Sequence, residues 1–153
     1  NLKHDFIHMY RAILEACAYG DRCVVETFKE LGVNIKKVRM CGGATNSIIM
    51  MKIYSDVLGL PLEIPRYSTR AAVLGSAILG SVGCGYYNGI VEAANHMTSI
   101  KEKVEPDPNL YGVYTEYYRL YLETYTKLKD LFKEQGGILG RQERFNIGKK
   151  DEL

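Results

Sequence analysis

The chain has 153 residues, 46% hydrophobic and 25% charged, a composition that supports one compact core and is ordinary for a globular protein. A net charge of +2, with lysines and arginines interspersed among acids, leaves no basic stripe and argues against nucleic acid as a partner. Neither a spanning helix nor a disulfide is expected: the longest low-charge stretch, 71–91, is broken by Gly75, Gly80, Gly83 and Gly85, and Cys17, Cys23, Cys41 and Cys84 sit among apolar or small neighbours as reduced, buried thiols of a cytoplasmic protein.

From Phe6 the apolar residues Met9, Tyr10, Ile13, Leu14 and Cys17 recur at three-and-four spacing, which predicts a long first helix to about Leu31. Gly20 interrupts it and predicts a bend or a close approach, and Gly32 supplies the stop. Lys36 to Cys41 reads as a strand that ends abruptly in Gly42-Gly43. Glycine has no Cβ, so both positions are open to φ > 0 and to a bulky anion lying against the main chain. Asn46 or Ser47 caps the helix that follows, whose free N–H groups and positive end attract phosphate. A glycine pair alone is met more often in a strand-to-helix turn that holds no ligand.

That second helix spans Ile48 to Leu58, with Ile49, Met50, Ile53 and Val57 inward and Gly59 as terminator. Leu62 to Ile64, bounded by Pro61 and Pro65, reads as a short edge strand. Ser68 or Thr69 caps a third helix from Arg70 to about Gly83, where Ala71, Ala72, Gly75, Ser76 and Ala77 leave little bulk on one face. Another helix, a base or another domain could lie against that face. Asn88 opens a fourth helix through Met97. Glu105-Pro106-Asp107-Pro108 is a stiff connection, with Asp107 as cap and Pro108 in the first turn of a long last helix. Its stripe of Tyr111, Tyr114, Tyr117 or Tyr118, Tyr121, Tyr125, Leu128 and Leu131 reads as amphipathic core with wet hydroxyls. From Gly136 the periodicity fades and an irregular tail, 136–153, is expected. Its last residues, Lys150-Asp151-Glu152-Leu153, spell an endoplasmic-reticulum retention address, read as coincidence because no entry signal is visible. The start at Asn1 reads as a cut inside a longer protein.

Four ordered stretches resemble the C-terminal part of the FGGY carbohydrate kinases. His8 to Glu15 is similar to the second half of the family's downstream signature, and Met40-Cys41-Gly42-Gly43-Ala44 to its adenosine motif. Tyr54 to Leu62 is similar to the helix end and strand that follow, and Ala72 to Ala77 to the small-residue helix connecting the two halves of the fold. The resemblance covers about Asp5 to Phe132. It implies an α/β chain, the C-terminal part of an actin-like ATPase (ribonuclease H-like) domain, helix-rich with few strands, with 1–135 as its adenosine-binding part.

The resemblance further implies that Gly42 and Gly43 lie against the α-phosphate and ribose, with Ala44 beside them and Asn46 or Ser47 reaching the ribose or adenine. ATP with Mg²⁺ would be the phosphoryl donor. Gly85-Tyr86-Tyr87, Glu92-Ala93-Ala94 and the tyrosine-rich helix are most similar to pentulose kinases, the ribulokinases and xylulokinases. Sugar contacts, the catalytic aspartate and the early phosphate loop lie upstream in the family, so no catalytic residue is expected within this chain. Asp56 reads as a solvated or capping residue, and His8 and His96 as helix-surface residues without a metal. The competing expectation is a non-catalytic actin-like module serving assembly or regulation. With few strands the sheet would expose its edges, so a homodimer is possible.

Overall fold

A computed structural model describes residues 5–148, with side chains described through residue 138. The chain divides into two units, 1–115 and 116–153, where the sequence leads one to expect a single compact one.

In the first unit, helix α1 (Phe6–Glu30) runs without a break through Gly20. Asp5 caps its start by accepting the His8 N–H at 3.1 Å. Gly32, at φ 83°, ends it: the Gly32 and Val33 N–H groups bond the Lys29 and Phe28 carbonyls, the paired closure of a Schellman motif. Strand β1 (Val38–Arg39) is shorter than the predicted 36–41. A 3₁₀ turn (Gly43–Asn46) then leads to helix α2 (Ile48–Leu58), whose bounds match the expected ones and which ends on Gly59 in the left-handed region.

Strand β2 (Leu62–Pro65) is the centre of a three-stranded sheet, not its edge. It pairs parallel with β1, placing Arg39 opposite Glu63, and antiparallel with β3 (Ile100–Val104), placing Glu63 opposite Lys103. The flanking prolines suggested an edge, but they stand outside the strand or at its end, where a bulge between Ile64 and Pro65 already interrupts the ladder. The interior N–H groups remain free to bond on both sides.

The core gathers Ala18, Tyr19 and Val25 of α1, Met51, Ile53, Tyr54, Val57 and Leu58 of α2, and Leu62, Ile64 and Val104 of the sheet. Burial pushes the Tyr54 hydroxyl up to about 12. Asp56 is buried rather than solvated: its carboxylate accepts the Asp107 N–H at 2.7 Å and Lys52 Nζ at 2.9 Å, tying the end of α2 to the segment after β3. The Ser55 hydroxyl lies 3.0 and 3.1 Å from the Leu60 and Val104 carbonyls, so the same helix end also holds β3.

A second 3₁₀ turn (Ser68–Arg70) precedes helix α3 (Ala71–Gly83), and no side chain caps α3, neither Ser68 nor Thr69. Helix α4 (Ile90–Met97) packs on α3, and His96 stacks on Tyr87 with ring centres 5.6 Å apart. Three of the four cysteines are exposed and Cys23 is half-buried, all with free thiols, so the expected burial does not hold.

Helix α5 (Pro108–Gly148) opens under the Asp107 cap, which accepts the Asn109 N–H at 2.9 Å. Its first turns belong to the first unit, where Tyr114 is buried and Arg22 of α1 lies 4.9 Å from the Tyr111 ring centre. The Arg22 guanidinium donates to Tyr111 Oη at 3.2 Å and Thr115 Oγ1 at 2.9 Å.

The second unit is the rest of α5. Tyr117, Tyr125 and Leu131 are exposed there, so the tyrosine stripe is core only at its start. Residues 136–148, expected to be irregular, are helical. Once a helix is nucleated each further residue adds a bond at low cost, so Gly136 and Gly137 weaken it without ending it. Residues 149–153, with the Lys150–Leu153 address, lie outside the described residues. Among the described residues no helix is long and apolar enough to cross a membrane.

Candidate functional site

The site forms where the chain leaves the carboxyl end of β1. Gly42 has φ 99° and ψ −177°, a conformation open essentially to glycine alone. Gly43 is different: its φ is not positive, and a Cβ built on it meets nothing within 4 Å. The two adjacent glycines therefore serve different purposes. Gly42 is required by the backbone itself, whereas Gly43 and its neighbours leave an open surface at the mouth of the turn.

Of the two proposed caps, Ser47 holds α2, accepting the Met50 N–H on its hydroxyl at 3.3 Å. Asn46 is the last residue of the 3₁₀ turn and its side chain is exposed, so of the two candidate caps Ser47 is the one that serves. Ala44 is half-buried within the same turn. Four of the predicted site residues, Gly43, Ala44, Asn46 and Ser47, thus follow one another in a single 3₁₀ turn and helix cap, with Gly42 as the hinge before it.

Two residues hold this turn, Thr45, which carried no expectation from the sequence, and Ser68, which was expected to cap the third helix. The Thr45 hydroxyl lies 2.7 Å from the Gly42 carbonyl and 2.7 Å from the Ser68 hydroxyl, and the Ser68 carbonyl accepts the Gly42 N–H at 2.8 Å. The turn after β1 is thereby fastened to the turn after β2. Thr45 stands inside the glycine motif, and a hydroxyl three residues after a glycine hinge is the local signal that could have found it.

Next to the turn, a mostly apolar cleft of about 180 Å³ is bounded by Cys41, Pro65, Leu74, Gly75, Ile78 and Ile100. A Cβ added at Gly75 would meet nothing within 4 Å, so at this position the small face of α3 is open.

Farther along the same sheet, Glu63 accepts Lys37 Nζ at 2.7 Å and an Arg39 guanidinium nitrogen at 2.8 Å. Hydrogen bonds from those two cations hold its carboxyl at about 2, below the ordinary 4.5. Because the folded value is the lower one, the stabilisation is present above about pH 4.5 and is lost as pH falls toward 2. Urea unfolding measured across that window is expected to show stability declining with acid, and Glu63→Gln is expected to flatten that decline. An equally steep acid loss in the variant would assign it to other carboxylates. No group of three or more histidine, cysteine or acidic side chains that could hold a metal is found among the described residues.

A model of the FGGY family of carbohydrate kinases, C-terminal domain, matches residues 1–84, more than half of the chain. The chain belongs to the FGGY family. It is 38% identical over 139 residues to a ribulokinase of Bacillus licheniformis, covering 87% of this chain and 24% of that protein. It is 37% identical over 136 residues to a ribulokinase of Mycolicibacterium smegmatis, covering 88% of this chain and 23% of that one. Among solved structures, a xylulose kinase from Rhodospirillum rubrum superposes with a TM-score of 0.74 at 29% identity, over 86% of this chain and 27% of that chain. The chain thus spans about a quarter of the length of the FGGY relatives it matches. Its architecture is the C-terminal part of the actin-like ATPase fold, as expected from the sequence, with three strands among the described residues where two were foreseen.

Proposed function

We propose that this chain is the nucleoside-binding part, residues 1–135, of an ATP-dependent kinase that transfers the γ-phosphoryl group to a hydroxyl of a pentulose such as ribulose or xylulose. The observation that carries the reading is the 38% identity to a ribulokinase across 87% of the chain, which includes the glycine turn.

In this reading Gly42 sets the bend, and Gly43 and Ala44 bring main chain against the α-phosphate and ribose. Asn46, exposed at the end of the turn, reaches the ribose or adenine, because Ser47 is engaged as the cap of α2. The first N–H groups of α2 add the positive end of a helix dipole nearby. These residues bind and orient; they do not remove the proton from the sugar hydroxyl. That step calls for a positioned base, for which His8, His96 and Asp56 are unsuited: His8 is engaged at the α1 cap, His96 is stacked on Tyr87, and Asp56 is held by Lys52 and Asp107.

ATP of this family is generally used with Mg²⁺. Among the described residues no three histidine, cysteine or acidic side chains gather, and the nucleotide's own phosphates are the natural seat of the ion. The base, the sugar contacts and a cytoplasmic setting belong, in this proposal, to the whole protein. The test is ADP release by the whole protein with Mg·ATP and, in turn, ribulose, xylulose and glycerol. Release with one pentulose and not glycerol is expected. Release with glycerol alone would move the assignment to another sugar class within the family.

A further inference from the structure

Thr45 and Ser68 have no assigned role in binding, yet between them they hold both the carbonyl and the N–H of Gly42. We propose that these two hydroxyls are positioning residues that aim the Gly43 N–H at the nucleotide; the proposal rests on the reading that the turn binds ATP.

The geometry runs from the carbonyl outward. Gly42 C=O accepts twice from the same residue, from the Thr45 N–H at 3.2 Å and from Thr45 Oγ1 at 2.7 Å. A threonine hydroxyl has one proton, and with that proton on the Gly42 carbonyl the 2.7 Å contact between Thr45 Oγ1 and Ser68 Oγ is donated by Ser68. The result is a directed chain from Ser68 through Thr45 to Gly42, in which each bond polarises the next. Ser68 is buried, and its own carbonyl takes the Gly42 N–H, so the same residue clamps Gly42 at both of its polar ends.

A trans peptide is planar, with its C=O and N–H pointing in opposite directions. Holding the Gly42 carbonyl on Thr45 therefore turns the Gly43 N–H away from Thr45, at a residue where an added Cβ would meet nothing within 4 Å. Gly42 has no N–H to offer a ligand, since Ser68 has taken it. Gly43 is then the donor next to that held carbonyl that we propose meets an α-phosphate oxygen, and its direction depends on the hydroxyl chain. Without that chain the glycine-rich peptide would sample other orientations, and binding would carry the cost of ordering it.

The test uses the whole protein, with ADP binding measured by calorimetry and KM for ATP and kcat measured separately. Thr45→Val keeps the shape and removes the hydroxyl, and Ser68→Ala removes the distal donor. Each is expected to weaken ADP and raise KM for ATP by roughly three- to tenfold, in line with one hydrogen bond, while kcat changes by less than about twofold. Thr45→Ser, which restores the hydroxyl, is expected to return ADP affinity to within about twofold of the original. Gly43→Val runs in parallel. If Gly43→Val weakens ADP while Thr45→Val and Ser68→Ala do not, the positioning role is overturned and the site stands. If Gly43→Val also binds ADP normally, the site assignment itself has failed. A Thr45→Val protein that loses thermal stability but keeps its ADP affinity assigns the pair a structural role only.

Discussion

Gly59→Ala is expected to be the most damaging single-methyl change in the first unit. Gly59 sits at φ 63°, and a Cβ placed there falls inside contact distance of the Tyr111 ring. Two costs add. A non-glycine residue in the left-handed region is strained by roughly 1 kcal/mol, and forcing a ring aside in packed surroundings costs about 1–3 kcal/mol. The Tyr111 ring cannot yield freely, because it supports the guanidinium of Arg22, which is 3% exposed and which Thr115 Oγ1 and Glu26 also hold. We therefore expect a loss of about 2–4 kcal/mol in urea unfolding. Gly32→Ala is the control: φ there is 83°, but nothing lies within 4 Å of a Cβ, so only the strain of about 1 kcal/mol should appear. Equal losses at the two glycines would show that the α2–α5 contact at Tyr111 contributes nothing beyond backbone strain.

Gly43→Val is expected to leave the fold intact and to weaken ATP binding by at least about tenfold. The separation of effects follows from the geometry of the turn. Gly43 has no positive φ and no neighbour within 4 Å of its Cβ position, so the backbone accepts a side chain there and its first carbon meets nothing. It would occupy the open space into which a phosphate must come to reach the main chain. Gly42→Val is a poorer probe of the ligand, since φ 99° with ψ −177° makes the fold itself object, and a loss of binding there would mix both causes. The readout is paired: thermal unfolding without ligand, and ATP titration of the whole protein. A Gly43→Val protein with unchanged melting and unchanged ATP affinity would remove the turn from the site.

What could be seen in the sequence was what local chemistry dictates. Helix α2 was bounded to the residue because a capping side chain at Asn46 or Ser47 and a glycine free to turn left-handed at position 59 mark its two ends locally. The start of α5 was equally legible from Asp107 and Pro108. The glycine hinge was found, but the division of labour between Gly42 and Gly43 was not, since φ at each is settled by the hold of Thr45 and Ser68 from outside the pair.

Misses fell where a distant partner decides the outcome. Strand β3, Ile100 to Val104, carries three charges in five residues and is exposed along most of its length, so it has no periodic apolar signal; its pairing with β2 makes it a strand. The same pairing turned β2 from a supposed edge into the sheet's centre. Asp56 looked solvated because its partner, the Asp107 N–H, lies 51 residues away. Ser68 likewise read as a helix cap, while its bonds run to Gly42 and Thr45.

The central claim is a phosphoryl transfer, and the product tests it most directly. The whole protein incubated with Mg·ATP and ribulose or xylulose, followed by ³¹P NMR, is expected to yield a sugar phosphate monoester in step with ADP. Inorganic phosphate in place of the monoester, or ATP bound and never consumed with either pentulose, would contradict the account.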